Sequence, residues 1–306
     1  MIFPILLLCA LTFLNGFTDA PNSIATAVAT NALSMKRACV LSAVCNLAGL
    51  CMSLFIGMPI ARAIFEVADL TSDPVPAVSA SLLAVISVSI LAWIFAMPSS
   101  ESHALVASIA GVSLAVTGKI NLIPFVKIIV YMLLSCLLSA LASYVILKAI
   151  RKKRLPYKRL QILACSATSL AHGAQDGQKL VGVMLFLVGS GQRQTLQACV
   201  CVAFFLFVGT VAGGGKITEM MGNGICRLNE KSALASDTCA TLCLILCSIF
   251  GFAVSTSNVK ACSILGAGLA DGVIVNYKSV AKIALVALAT VPASILLSVL
   301  YFRLFS

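Results

Sequence analysis

Long apolar runs, interrupted at intervals by short polar clusters, set the pattern of this chain. The runs lie near 1–34, 38–58, 77–97, 102–117, 122–148, 161–190, 195–212, 233–253, 259–276 and 280–302. Most reach the roughly 18 apolar residues that a membrane-crossing helix needs, while 102–117 and 259–276 are short. A membrane β-barrel would instead show alternating segments of about ten residues. Two of the runs are interrupted near their middles. The first is broken by Asn15-Gly16-Phe17-Thr18-Asp19-Ala20-Pro21-Asn22-Ser23, the sixth by Ala171-His172-Gly173-Ala174-Gln175-Asp176-Gly177-Gln178-Lys179. Each predicts a helix broken at its aspartate. Polar groups at mid-depth in hydrocarbon cost several kcal/mol unless partnered, so such clusters mark an ion or substrate path.

The clusters also keep register with one another. Laying Asp19 on Asp176 lays Gly16 on Gly173, Thr18 on Gln175 and Asn22 on Lys179. A second polar cluster follows each aspartate: Pro98-Ser99-Ser100-Glu101-Ser102-His103 in the first half, Val254-Ser255-Thr256-Ser257-Asn258 in the second. Asp19 lies 81 residues before Ser100, and Asp176 lies 79 before Ser255. Asn121 and Asn276 follow as a third landmark. Three landmarks in register indicate an internal duplication. The prediction is an all-α integral membrane protein of ten to twelve crossings, with residues 1–150 as one repeat, 151–160 as a basic linker and 161–306 as the second repeat. Five crossings per half is an odd number, so the repeats have inverted topology and their half helices meet near the midplane.

Composition agrees, with 60% hydrophobic and 10% charged residues over 306 positions; a soluble domain has nowhere to put so much apolar surface. Arg151, Lys152, Lys153, Arg154, Lys158 and Arg159 make the linker strongly basic, which places it in the cytoplasm of a plasma-membrane protein. Lys36, Arg37, Lys216, Arg227, Lys231 and Lys278 fall on the same side by counting crossings. Glu66, Asp69 and Asp73 fall outside. The net charge of +11 thus serves orientation and contact with anionic lipid, not nucleic acid, for which Tyr157 alone among the basic residues is too little aromatic surface. Met1 to Leu14 has no basic segment before it and runs into the first cluster, so it reads as the first half of a retained helix rather than a signal. The 13 cysteines, Cys239, Cys243 and Cys247 among them, lack acidic or histidine neighbours at metal spacing and read as small apolar residues.

The residue types at the clusters suit an anion with a cation beside it. Pro21 fits a first helical turn, and Ser100 or Ser102, like Ser255 to Ser257, fits a helix N-cap. Four half-helix N-termini would then face one another at mid-depth, each carrying about half a positive charge and free N–H groups, with hydroxyls adding donors for a tetrahedral oxyanion. Asp19, Asp176, Thr18 and Gln175, with unwound carbonyls, offer hard oxygen ligands for a small cation.

Gly16-x-x-Asp19-x-x-Asn22, Pro98-x-Ser100-x-x-His103, His172-Gly173-x-x-Asp176-Gly177-Gln178-Lys179 and Val275-Asn276-Tyr277 resemble the signatures of the inorganic phosphate transporter family over essentially the whole chain. The resemblance implies a symporter that imports phosphate with sodium or protons by alternating access, often as a homodimer, with no enzymatic activity and no cofactor. It assigns Asp19 and Asp176 to the cation, sodium if sodium is the coupling ion, with Thr18 and Gln175 beside them. It assigns Asn22, Ser100, Glu101, Ser102, Ser255, Thr256 and Ser257 to phosphate, joined by Gln178 and Lys179 at the end of the second signature. The chain departs from the family where Thr18 and Gln175 replace Asn, where Glu101 replaces Thr, and where Ala253 and Asn258 replace Pro and His. Glu101 beside an anion suggests a group that titrates during transport and tilts coupling toward protons.

Other readings stay open at this point. Sulfate would use the same donors, although phosphate can also donate a proton to Glu101 or an aspartate. A divalent-cation transporter would use Asp19, Asp176, Glu101, His103 and His172, against the repulsion of the helix N-termini. An intramembrane hydrolase would need a nucleophile and base that no spacing shows. His103 and His172 fit either a structural hydrogen bond or a proton relay. Asp237 reads as a first-turn residue, Lys260 as interfacial, and Asp271-Gly272 as a turn.

Overall fold

The computed structural model describes residues 2–68, 74–189 and 191–305. The first half is built from α1 (Ile2–Thr18), α2 (Ala20–Ala29), α3 (Met35–Ile56), α4 (Pro59–Phe65), α5 (Pro74–Ile94), α6 (Glu101–Thr117) and α7 (Leu122–Ile150). The second holds α8 (Tyr157–Val188), α9 (Gln192–Ala212), α10 (Gly215–Glu219) with a π-helical turn at Met220–Gly224, then α11 (Glu230–Phe250), α12 (Thr256–Asp271) and α13 (Tyr277–Phe305). All ten apolar runs of the sequence are helices. The short α4 and α10, of 7 and 5 residues, are additions that no periodicity announces.

Among the described residues seven helices are long and apolar enough to cross a membrane: α1 and α2 taken together, α3, α5, α7, α9, α11 and α13. At 1.5 Å per residue, the 32 residues of α8 reach about 48 Å, enough to cross as well. Its lower hydropathy comes from the polar cluster at its middle. The shorter α6 and α12 begin at the buried polar clusters and end at Gly118 and Gly272, both left-handed (φ 69° and 77°), a conformation that glycine adopts without a side-chain clash.

One expectation is corrected here. The helix carrying Asp176 is not broken; α8 runs through it without interruption. A proline is what the first cluster has and the second cluster lacks. Pro21 has no N–H to give, so the chain steps out of helix at Asp19 alone. Even there the Asp19 N–H donates to the Asn15 carbonyl (2.9 Å), so α1 bends into α2 rather than unwinding. The helix N-termini that face the centre are therefore those of α6 and α12, two rather than four.

Gly173 and Gly177 serve packing instead. A Cβ on Gly173 would lie 2.1 Å from the Asn46 carbonyl oxygen, and one on Gly49 would lie 1.9 Å from that of Leu170, so α3 and α8 touch backbone to backbone. Gly16 and Gly209 do the same for α1 and α9. Gly266 meets Ala140 of α7, and its counterpart Gly111 meets Ile295 of α13. Each helix of these pairs comes from the opposite half, so the halves interlock rather than sit side by side. Lipid offers no hydrophobic drive between helices, and close approach through small residues is what holds them.

The ends of the bundle follow from the contacts. Phe3 of α1 stacks edge-on against Phe305 of α13 at one end (5.8 Å), while Lys231 at the start of α11 donates to the Arg151 carbonyl at the other (3.1 Å). The second end holds the basic linker and is cytoplasmic. Glu66 caps α4 at the outer end, where its carbonyl accepts from Asn121 (2.8 Å); Asp69 and Asp73 lie outside the described residues.

Gly49→Leu should lower the thermal midpoint of the detergent-solubilised protein sharply, since overpacking such a contact costs about 1–3 kcal/mol or more. Gly215→Ala, at a position with open space around it, should leave that midpoint unchanged. Equal midpoints for the two variants in a fluorescence-detected melting assay would contradict the packing described.

Candidate functional site

Asp19 and Asp176 come together at the crossing of α1–α2 and α8, where α6 and α12 also begin. Ser100 and Ser255 stand in extended backbone before those helices. Each hydroxyl accepts from the N–H three residues on, that of His103 and that of Asn258, both at 3.2 Å. These are the N-caps that the sequence predicts. They leave the remaining first-turn N–H groups and the positive helix ends directed at the cluster.

The cluster has two linked parts. In one, the Asp19 carboxylate accepts from Ser257 Oγ and from Asn22 Nδ2 (3.2 Å), and Asn22 also donates to Ser257 (2.9 Å). In the other, Asp176 accepts from Lys179 Nζ through Oδ1 and from Asn15 Nδ2 through Oδ2 (3.2 Å). Lys179 further donates to Ser102 Oγ (2.5 Å) and to the Val254 carbonyl (3.4 Å), which ties α8 to both polar clusters. Glu101 accepts from Asn15 (2.9 Å) and Thr18 (3.3 Å). Asn15 thus holds a carboxylate of each half. All of these side chains are buried, Glu101 the least so at 8% exposure.

His172 supports this arrangement. Its Nε2 lies 3.0 Å from Asp176 Oδ2 and its Nδ1 3.1 Å from Asn46 Oδ1. His103 pairs with Ser100 through Nδ1 and stays by its own N-cap. Asp19, His172 and Asp176 each offer a ligand atom, all within 4.8 Å of one another, and Asn15 Oδ1 and Asn22 Oδ1 are buried acceptors without a hydrogen-bond donor. Such a set suits a small cation or a proton donor.

Two of the predicted residues turn away. Gln178 accepts from the Ile60 N–H (3.1 Å) and donates to the Ser248 carbonyl (3.5 Å), which docks α4 and α11 on α8. Gln175 likewise bonds the Phe252 carbonyl (3.1 Å) and Ser248 Oγ (2.7 Å). Thr256 is buried in the first turn of α12. The sequence shows Asn15 within the first cluster without giving it a role, and Asn46 stands outside every cluster. Asn15 stands one helical turn before Asp19 and so shares its face; Asn46 is a lone amide inside the apolar run of α3.

The model of the phosphate transporter family matches this chain twice, over residues 15–159 and 151–298. A Mycobacterium tuberculosis (strain CDC 1551 / Oshkosh) protein named "Probable low-affinity inorganic phosphate transporter" is 32% identical over 92% of this chain and 72% of its own length. A Bacillus subtilis protein of the same name is 29% identical over 98% of this chain and 96% of its own. Among solved structures, one described as the sodium-dependent phosphate transporter superposes with a TM-score of 0.87 at 19% identity, over 99% of this chain and 98% of the other, and so shares the fold. With both halves matched, the chain is a multi-pass plasma-membrane protein that belongs to the phosphate transporter family.

Proposed function

We propose that this protein imports inorganic phosphate together with sodium ions or protons by alternating access. The observation that carries the reading is the meeting of two serine-capped helix N-termini, one from each half, at a buried cluster of three carboxylates and one lysine. Hydroxyls and N–H groups at α6 and α12 are donors for the phosphate oxygens. Lys179, already on Ser102, adds a cation between the two helix ends.

Electrostatics supplies the coupling. Asp19, Asp176 and Glu101 bring three negative charges if ionised, against one from Lys179 and about half a charge from each helix end. Phosphate adds one or two more negative charges. Like charges about 4 Å apart repel by roughly 4 kcal/mol at an effective dielectric near 20. Phosphate therefore enters only with cations, and each net positive charge carried inward gains about 2.3 kcal/mol per 100 mV. The Asp19, His172 and Asp176 ligand set is where a sodium ion would sit. Glu101, which has no lysine of its own, is where a proton would travel. The likeness to a sodium-dependent transporter supports a cation-coupled cycle.

Asp19→Asn and Asp176→Asn should each lower phosphate accumulation in proteoliposomes at least tenfold while the protein still inserts. Accumulation at the wild-type level in both variants would remove their assigned role. Parallel uptake of sulfate and a divalent metal separates the remaining transport readings. A wild type that accumulates either of these and not phosphate would overturn the proposal.

Glu101 gives a separate expectation. If it carries a proton inward, uptake rises as the outer solution is acidified, and Glu101→Gln flattens that dependence. Measured uptake of Glu101→Gln across pH that follows the wild-type curve would assign coupling elsewhere.

A further inference from the structure

In sequence register the two halves differ in one layer. On the outer side of the cluster the pathway is plugged by Leu11, Leu82, Val85, Leu105 and Leu180, all buried in one hydrophobic core. On the cytoplasmic side the matching layer is polar. Leu105 of α6 corresponds to Lys260 of α12, counted from Ser100 and Ser255. By the same count Leu82 of α5 corresponds to Asp237 of α11, and, counted from Asp176 and Asp19, Val183 of α8 corresponds to Thr26 of α2. Lys260 is ion-paired to Asp237 Oδ1, which also accepts from Thr26 Oγ1 (2.7 Å), and all three side chains are 0–1% exposed. Asp237 lies in the second turn of α11, eight residues in, and not in the first turn.

The polar residues form a ladder. Along α2, Asn22, Thr26 and Thr30 stand one turn apart on one face. Asn22 touches Ser257, Thr26 touches Asp237 and Lys260, and Thr30 bonds Gln161 near the start of α8 (3.1 Å). Their counterparts along α8, running to the outer face, are Lys179, Val183 and Leu187. From the cluster to the cytoplasm there is a hydrogen-bonding partner at every turn; from the cluster to the outside there are aliphatic side chains.

A buried ion pair is a poor source of stability, because desolvation offsets its attraction and an apolar replacement of similar volume is often neutral. The other half shows this replacement, with Leu105 and Leu82 in the same places. The pair's retention on one side alone calls for a role in which a charge is used. Lys260 is one turn from Ser257 on α12, and Asp237 Oδ2 has no hydrogen-bond partner, so only one carboxylate oxygen holds the lysine.

We propose that Lys260 is a second phosphate station on the cytoplasmic side of the site, kept shut by Asp237 until the path opens. This rests on the phosphate-import reading. Phosphate leaving Ser257 displaces Asp237 from the Lys260 ammonium and passes along the Thr26 and Thr30 face to the cytoplasm. The Asp237–Lys260 contact is then the inner gate, and the aliphatic plug is the outer one.

Two variants test it in purified, reconstituted protein, with phosphate binding and phosphate counterflow both read. Asp237→Lys/Lys260→Asp keeps a buried ion pair but moves the ammonium to α11. Asp237→Leu/Lys260→Leu installs the residues of the other half. Both should bind radiolabelled phosphate within threefold of wild type and lose counterflow by at least tenfold. Counterflow at the wild-type rate in the exchanged pair would show that any ion pair suffices there and overturn the proposal. Loss of binding together with counterflow in a folded variant would place the pair inside the binding site and overturn it equally. A wild type that neither binds nor carries phosphate would sink the import reading, and this inference with it; a transporting wild type matched by the exchanged variant sinks this inference alone.

Discussion

Charge held in a low-dielectric interior without water has to be met by fixed partners, and the rest of this structure follows from how that is done. Asp19, Asp176, Glu101 and Lys179 sit within a bundle whose lipid-facing helices are almost wholly apolar. Their partners are hydroxyls, amides and the positive ends of α6 and α12. No single half could provide them. Asn15 of the first half holds Asp176 of the second, and Ser257 of the second holds Asp19 of the first. The site is therefore a product of the interlocked halves, and the glycines that let α3 reach α8 and α9 reach α1 are as much a part of it as the carboxylates.

Two inverted halves would, if identical, make a symmetric carrier with equal gates. The differences between them are local and chemical. Glu101 stands where the second half has Thr256, and His172 where the first has Asn15. Lys179 and Asn22 also trade places across the pseudo-two-fold. These exchanges put most of the charge compensation on α8 and most of the neutral hydrogen bonding on α2. The polar layer below the site and the aliphatic layer above it extend the same asymmetry toward the two membrane faces.

Much of this was readable in the residues. The ten apolar runs, the register of the polar clusters and the serine caps each have a local cause, a period or a spacing, and each is found where that cause puts it. Asp19 and Asp176 were legible as a pair because the chain states them twice. The unbroken α8 was not. Glycines at 173 and 177 can either free a backbone or let another helix approach, and only the position of α3 decides between them. Gln178 was hidden for a like reason: its place in the second signature is beside Lys179, but its face on α8 turns to α4. Asp237 and Lys260 are 23 residues apart on different helices, so their pairing is invisible without the fold.

The central claim is that the anion and its cations occupy one site and stabilise each other. Binding linkage reads this directly, since a cation that strengthens phosphate binding must itself be bound more tightly when phosphate is present. The measurement is the phosphate dissociation constant of the purified protein across sodium concentration at fixed pH, and across pH without sodium. The account predicts that the constant falls at least tenfold along one of these axes. A constant that stays flat along both would contradict it.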